Sequence, residues 1–162
     1  MPLSNFERMM QLVTEVFDVK NDPDQLDVDQ EVIERLHTIH PATLSAKDDG
    51  DGPVAWILVI PTTKELMYLF VNKTISEQEL YKRTLPGTSY DAVYLCSATV
   101  LSEYRNKGIA QALLDKAKNY GRTSNAKWLM LQTGRENFAA QALYKKNGWE
   151  RVADLFYHFG LV

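Results

Sequence analysis

Apolar residues along this chain change period several times, and each change marks an element. Phe6, Met9, Met10, Val13, Val16 and Phe17 recur at helical spacing behind Ser4 and Glu7, which are spaced as a capping box, so a first helix is predicted to run to about Phe17. After the breaker run "VKNDPDQ", Asp29 is placed to cap a second helix whose apolar face is Val32, Ile33 and Leu36. That helix should end near His40, because Pro41 restrains the residue before it. "ATLSAK" and "PVAWILVI" flank "DDGDG" and read as a hairpin. Residues 62–89 are rich in helix formers and carry a second capping box, Ser76 with Glu79, before Leu80, which predicts two short helices.

In the second half the pattern alternates. Residues 91–101 are apolar on both faces and predict a long central strand. A helix follows from Gly108 to about Arg122 with Ile109, Leu113, Ala117 and Tyr120 turned inward, then a buried strand in "KWLMLQT". A helix from Asn137 to about Asn147 stops at Gly148, and "WERV" with "LFYHFGLV" completes the sheet. This succession predicts an α/β fold with a mixed central sheet flanked by helices. A chain of 162 residues buries one good core, so a single domain over 1–162 is expected.

Composition narrows the function classes. No run of eighteen apolar residues occurs and "MPLSNFERMM" lacks the features of a secretory leader, so no membrane role and a cytoplasmic location are expected. The single Cys96 lies in an apolar run, which rules out a disulfide framework and suits a buried, inert thiol. His37 and His40 are three apart but lack a third ligand nearby, so no metal is expected and a helix C-terminal role fits them better. Trp56, Trp128 and Trp149 fall in strand runs and are expected in the core. The net charge of −3 hides an asymmetry: twelve acidic against four basic residues up to position 60, nine against fourteen beyond it. The basic half suits a polyanionic small molecule and the acidic half a cationic one, while the lack of an extended basic and aromatic surface disfavours nucleic acid.

The candidate chemistry sits in "LSEYRNKGIAQALL", residues 101–114. Where a strand hands over to a helix, the backbone N–H groups of Asn106 to Ala110 face a helix start, a place that binds phosphate through unpaired donors and the helix dipole. Arg105 and Lys107 add charge, Gly108 removes a Cβ where a phosphate would approach, and Ala110 allows close packing. The loop matches neither the P-loop pattern nor the three-glycine dinucleotide fingerprint.

With Arg105, Asn106, Lys107, Gly108, Ile109 and Ala110 the chain resembles the Gcn5-related N-acetyltransferases (GNAT), whose shared loop is Gln/Arg-x-x-Gly-x-Gly/Ala. "NFAAQALYKKNGW" supplies a second pattern of that family in Asn137, Ala140, Leu143, Tyr144, Gly148 and Trp149. The resemblance covers roughly residues 92–162. It implies that residues 105–110 cradle the pyrophosphate of coenzyme A and that Val100 and Leu101 bond the pantetheine arm through main-chain groups. It also implies that Asn137 touches the cofactor and that Tyr144 stands near the sulfur. A phenol of ordinary pKa about 10 stays protonated at pH 7 and can protonate a departing thiolate, so Tyr144 reads as general acid.

The resemblance thus implies an acetyl-CoA-dependent N-acetyltransferase acting by direct attack of a primary amine, from a small molecule or a peptide. The base stays open: Tyr94 occupies the position at which some members carry a Glu, and Asp91 or Glu103 could serve through water. The chain departs from the family in lacking a convincing strand before the first helix and in its helical insertion at about 62–89. That insertion is expected to border the acceptor pocket, with Tyr81, Tyr90 and Tyr104 as candidate lining. A non-catalytic acyl-CoA-binding or regulatory module on the same fold is the rival reading. "LFYHFGLV" serves equally as an edge strand or as a pairing edge in a homodimer.

Overall fold

Ser4 and Glu7 close the predicted capping box, with Ser4 N–H donating to Glu7 Oε2 at 2.8 Å and Glu7 N–H to Ser4 Oγ at 3.2 Å. They open α1 (Asn5–Phe17). The structure is a computed structural model that describes residues 2–17, 29–84, 90–123, 126–132, 138–153 and 156–160. Asp29 caps α2 (Gln30–Ile39) by accepting from Val32 N–H at 2.9 Å. The hairpin is β1 (Leu44–Asp48) and β2 (Pro53–Thr62), antiparallel across the Gly/Asp turn. The insertion holds α3 (Lys64–Val71) and α4 (Glu77–Arg83), the latter opened by the Ser76–Glu79 box. Then follow β3 (Ala92–Val100), α5 (Ile109–Thr123), β4 (Trp128–Gln132), α6 (Phe138–Lys146), β5 (Glu150–Ala153) and β6 (Phe156–Gly160).

The six strands form one sheet in the order β1-β2-β3-β4-β6-β5. Every pairing is antiparallel except β3 with β4, the pair that α5 connects, because parallel neighbours need a crossover. Alternation along β2 divides the core. Trp56, Leu58 and Ile60 pack with Met9, Val32, Leu36, Leu80 and Tyr94 under α1 to α4, while Ala55, Ile57 and Val59 pack with Leu113, Leu114, Ala117 and Trp149 on the α5 and α6 side. β2 is thus covered on both faces and all but its first residue are buried.

Three expectations are corrected. The terminal run is not an edge: β6 lies between β4 and β5, and β5 takes the edge. Trp128 is 36% exposed, because its position at the start of β4 lies beside a shallow apolar groove of about 260 Å³ with Met67, Tyr68 and Met130. Tyr81 is core and not pocket lining. It is 8% exposed, Arg35 stacks on its ring at 4.5 Å, and the same guanidinium donates to the Tyr81 and Thr84 carbonyls at 3.0 and 2.6 Å.

Cys96 is buried as expected. His37 lies in the last turn of α2 and His40 at its C-cap, where the His40 ring meets Tyr120 at 5.0 Å. No helix among the described residues is long and apolar enough to cross a membrane.

Leu80, fully buried between α4 and the sheet, should cost about 2–5 kcal/mol of unfolding free energy when replaced by Ala, read by urea denaturation. Tyr68→Ser, at a position 69% exposed, should shift it by no more than about 0.5 kcal/mol.

Candidate functional site

The site begins where β3 and β4 part. Their parallel ladder runs from Ala92–Trp128 to Leu95–Leu131 and ends there, while β3 continues to Val100 paired with β2. At the parting the β2–β3 register shifts: Leu95 faces Val59 but Ser97 faces Leu58, so Cys96 is one residue more than β2 matches. Such a bulge bends and re-aims a strand. Beyond it, β3 pairs with no strand on its β4 side among the described residues, which leaves a wedge in the sheet.

Main-chain direction in this wedge follows from one hydrogen bond. Leu101 N–H donates to Val54 O at 2.9 Å, toward β2. In an antiparallel ladder such bonds alternate, so the main-chain groups of Val100 and Ala98 turn to the opposite side, into the wedge. The Leu101 carbonyl accepts from Tyr104 N–H at 2.9 Å, so both of its main-chain groups are engaged. The Val100 carbonyl accepts from Arg105 Nε at 3.1 Å.

At the wide end of the wedge lies the loop. After a short 3-10 turn, Ser102–Tyr104, the chain passes through positive φ at Asn106 (61°) and Gly108 (77°) before α5 begins at Ile109. Left-handed residues of this kind turn neighbouring amides outward, the backbone geometry in which anion-binding concavities are built. Arg105 to Gly108 are exposed. The N–H groups of Asn106 to Gln111 meet no acceptor among the described residues, as expected for a helix start awaiting a partner, and the first return bond is Ala112 N–H to Gly108 O at 3.1 Å. A Cβ built on Gly108 would meet nothing within 4 Å, so the space over the loop is open.

Long-range ties fix the loop. Tyr104 Oη donates to Asp49 in the β1–β2 turn, and Asp49 Oδ1 accepts from Asn5 Nδ2 at 3.0 Å. The Tyr104 bond, the largest cause, with the Asp51 and Asn5 donors holds the Asp49 carboxyl below its ordinary value. Glu103 pairs with Arg8 of α1, and Lys107 Nζ lies 5.6 Å from the centre of the Tyr104 ring. Tyr104 is therefore a strut of the loop. Asp49 was invisible as a site residue in the sequence, where "DDGDG" signals only a turn.

Tyr144 lies in α6, half-buried, with its ring 5.6 Å from that of Trp149. Like Val100 and Ile109, it is partly buried against the α5-side core. Burial raises the Tyr144 phenol above its ordinary value, which keeps it protonated at neutral pH. Asn137 lies outside the described residues. Neither carboxylate suggested for proton removal is well placed. Asp91 caps α3 by accepting from Lys64 N–H at 2.6 Å, and it stands about 30 Å of strand away from the loop end of β3. Glu103 is held by Arg8. Among the described residues no group of three His, Cys, Asp or Glu is placed to hold a metal ion.

Known proteins share this fold. Residues 6–149 match the family model described as Acetyltransferase (GNAT) family. The chain is 35% identical over 79 residues to YhfO, an uncharacterized N-acetyltransferase of Bacillus subtilis, covering 48% of this chain and 52% of that protein. It is 32% identical over 95 residues to N-alpha-acetyltransferase 30 of Schizosaccharomyces pombe, covering 56% and 57%. The chain thus spans about half the length of the curated relatives it matches. Its fold superposes on a GNAT-family acetyltransferase from Staphylococcus aureus with a TM-score of 0.60 at 16% identity, covering 98% of this chain and 92% of that one. With the family model spanning the described helices and strands from α1 to the end of α6, the chain belongs to the acetyltransferase (GNAT) family.

Proposed function

We propose that this protein is an N-acetyltransferase that takes the acetyl group of acetyl-CoA and passes it to a primary amine by direct attack. One observation carries the reading: the outward amides of Asn106 to Gln111 stand at the open end of a wedge in the sheet. A diphosphate suits such donors, because they have no protein acceptor to lose and the helix dipole favours the charge. Arg105, Lys107, Ile109 and Ala110 complete the cradle, and the open space at Gly108 lets a phosphate approach. The thin pantetheine arm suits the wedge, where its amides would replace the strand that β3 lacks.

Main-chain direction favours Val100, through its N–H, over Leu101 for the strand-end contact. Asn137 is assigned a cofactor contact on the family pattern alone. Tyr144, partly buried against the same core cluster as Val100 and Ile109, would give its proton to the departing thiolate. The acceptor is a small-molecule or peptide amine. The name of the fission-yeast relative favours a peptide α-amine, whose ordinary pKa of about 7.7–8.0 leaves far more free base at pH 7 than a lysine of about 10.4. A cytoplasmic setting and an association between copies of the chain belong to the same proposal.

Thiol release from acetyl-CoA over a panel of amines tests the reading. Tyr144→Phe should lower turnover by about 100-fold while leaving coenzyme A affinity by calorimetry unchanged. Tight coenzyme A binding by the unaltered protein with no turnover on any amine would instead favour a non-catalytic acyl-CoA-binding module.

Gly108→Ala should weaken coenzyme A binding in the same calorimetry and destabilise the fold by about 1–2 kcal/mol, because the residue sits at φ +77°. The new methyl meets no protein atom within 4 Å, so an unchanged affinity would count against a phosphate over this loop.

A further inference from the structure

Helix α4 brings a carboxylate to the middle of the sheet: Tyr94 Oη donates to Glu77 Oε2 at 2.6 Å. Glu77 opens α4 behind the Ser76 cap, and Tyr94 is 1% exposed in the middle of the sheet. Burial and then the Glu77 charge raise the Tyr94 phenol well above its ordinary value. Burial and Glu77 do the same to the Cys96 thiol. The phenol therefore keeps its proton and donates it in the hydrogen bond, and the carboxylate is the acceptor.

Tyr94 and Cys96 flank Leu95, the last residue of β3 paired with β4 among the described residues, so the residue that holds Glu77 lies one position before the point where that pairing stops. From Val100 to Cys96 is four residues, about 13 Å of strand. A pantetheine arm entering at Val100 and running along β3 is aimed at this point, on the face lined by α1 to α4. A phenol that needed only a structural acceptor would be served by a neutral carbonyl at lower desolvation cost than a carboxylate. Glu77 is half-buried, so the carboxylate is not sealed from the surface.

We infer that Glu77 is the proton acceptor for the incoming ammonium, with Tyr94 as the residue that positions it. The inference rests on the acyl-transfer reading above. One ammonium proton passes to a Glu77 oxygen. The lone pair so freed forms the C–N bond as the C–S bond breaks. The sulfur takes the Tyr144 proton, and the surplus proton on nitrogen restores Tyr144 through water. Glu77 then returns its proton to solvent, so one proton is released for each acetyl group moved.

Two acceptors separate this role from a structural one. At pH 6.5 the α-amine of the peptide Met-Leu-Ala-Ala is mostly charged, its ordinary pKa being about 7.7–8.0, whereas 4-methoxyaniline is largely uncharged and needs no base before attack. Glu77→Gln, which leaves an oxygen for Tyr94, should lower turnover on the peptide by about 100-fold and on the aniline by less than about threefold, with thermal unfolding and coenzyme A affinity unchanged. Tyr94→Phe should show the same selectivity with a smaller loss, about 10-fold on the peptide. Equal losses on both acceptors, or no loss on the peptide, would overturn the assignment. Absence of turnover by the unaltered protein on either acceptor would overturn the transfer reading itself.

Discussion

A parallel pair that stops early governs this molecule. Among the described residues β3 and β4 share four paired positions, the last at Leu95, with Cys96 bulged against β2. A strand edge inside a sheet is normally filled, because unpaired backbone groups away from water are costly. Among the described residues no strand fills the edge of β3 beyond Leu95, and the main-chain groups of Val100 and Ala98 are turned toward it by the ladder on the far side. The loop from Arg105 to Gly108 and the start of α5 stand at the mouth of that gap. An extended ligand with an anionic end is the chemistry that satisfies both features together.

The two faces of the sheet carry different proton chemistry. On the α5 and α6 face, Tyr144 is held as a neutral phenol by burial. On the opposite face, Glu77 accepts from the buried Tyr94. In the proposed reaction the neutral phenol would serve the anionic leaving group and the carboxylate the protonated nucleophile.

The donor-side loop gains its shape from distant parts of the chain. Asp49 joins Tyr104 to α1 through Asn5, and Arg8 reaches Glu103. Each tie is exposed and individually weak. Together they hold a loop with two left-handed residues against the β1–β2 turn, which limits the conformations that binding must otherwise order.

Periodicity and capping chemistry determined the elements of this protein by themselves: the Ser4, Asp29 and Ser76 caps, the hairpin turn and the helix after Gly108 all act within a few residues. Local chemistry also marked the loop proposed to hold a phosphate, since its amides, Gly108 and the flanking bases are neighbours in the chain. Partnerships across the sheet were decided only by tertiary structure. Tyr81 reads as a surface aromatic beside polar residues, yet Arg35, 46 positions earlier, covers it. Trp128 reads as core, but the groove beside β4 leaves it partly open. β6 reads as an edge, and the order of strands, which no local pattern encodes, places it inside. The same holds for the carboxylate at the wedge: Glu77 looks like an ordinary first-turn acid of α4, and only the packing of that helix on β3 brings it to Tyr94.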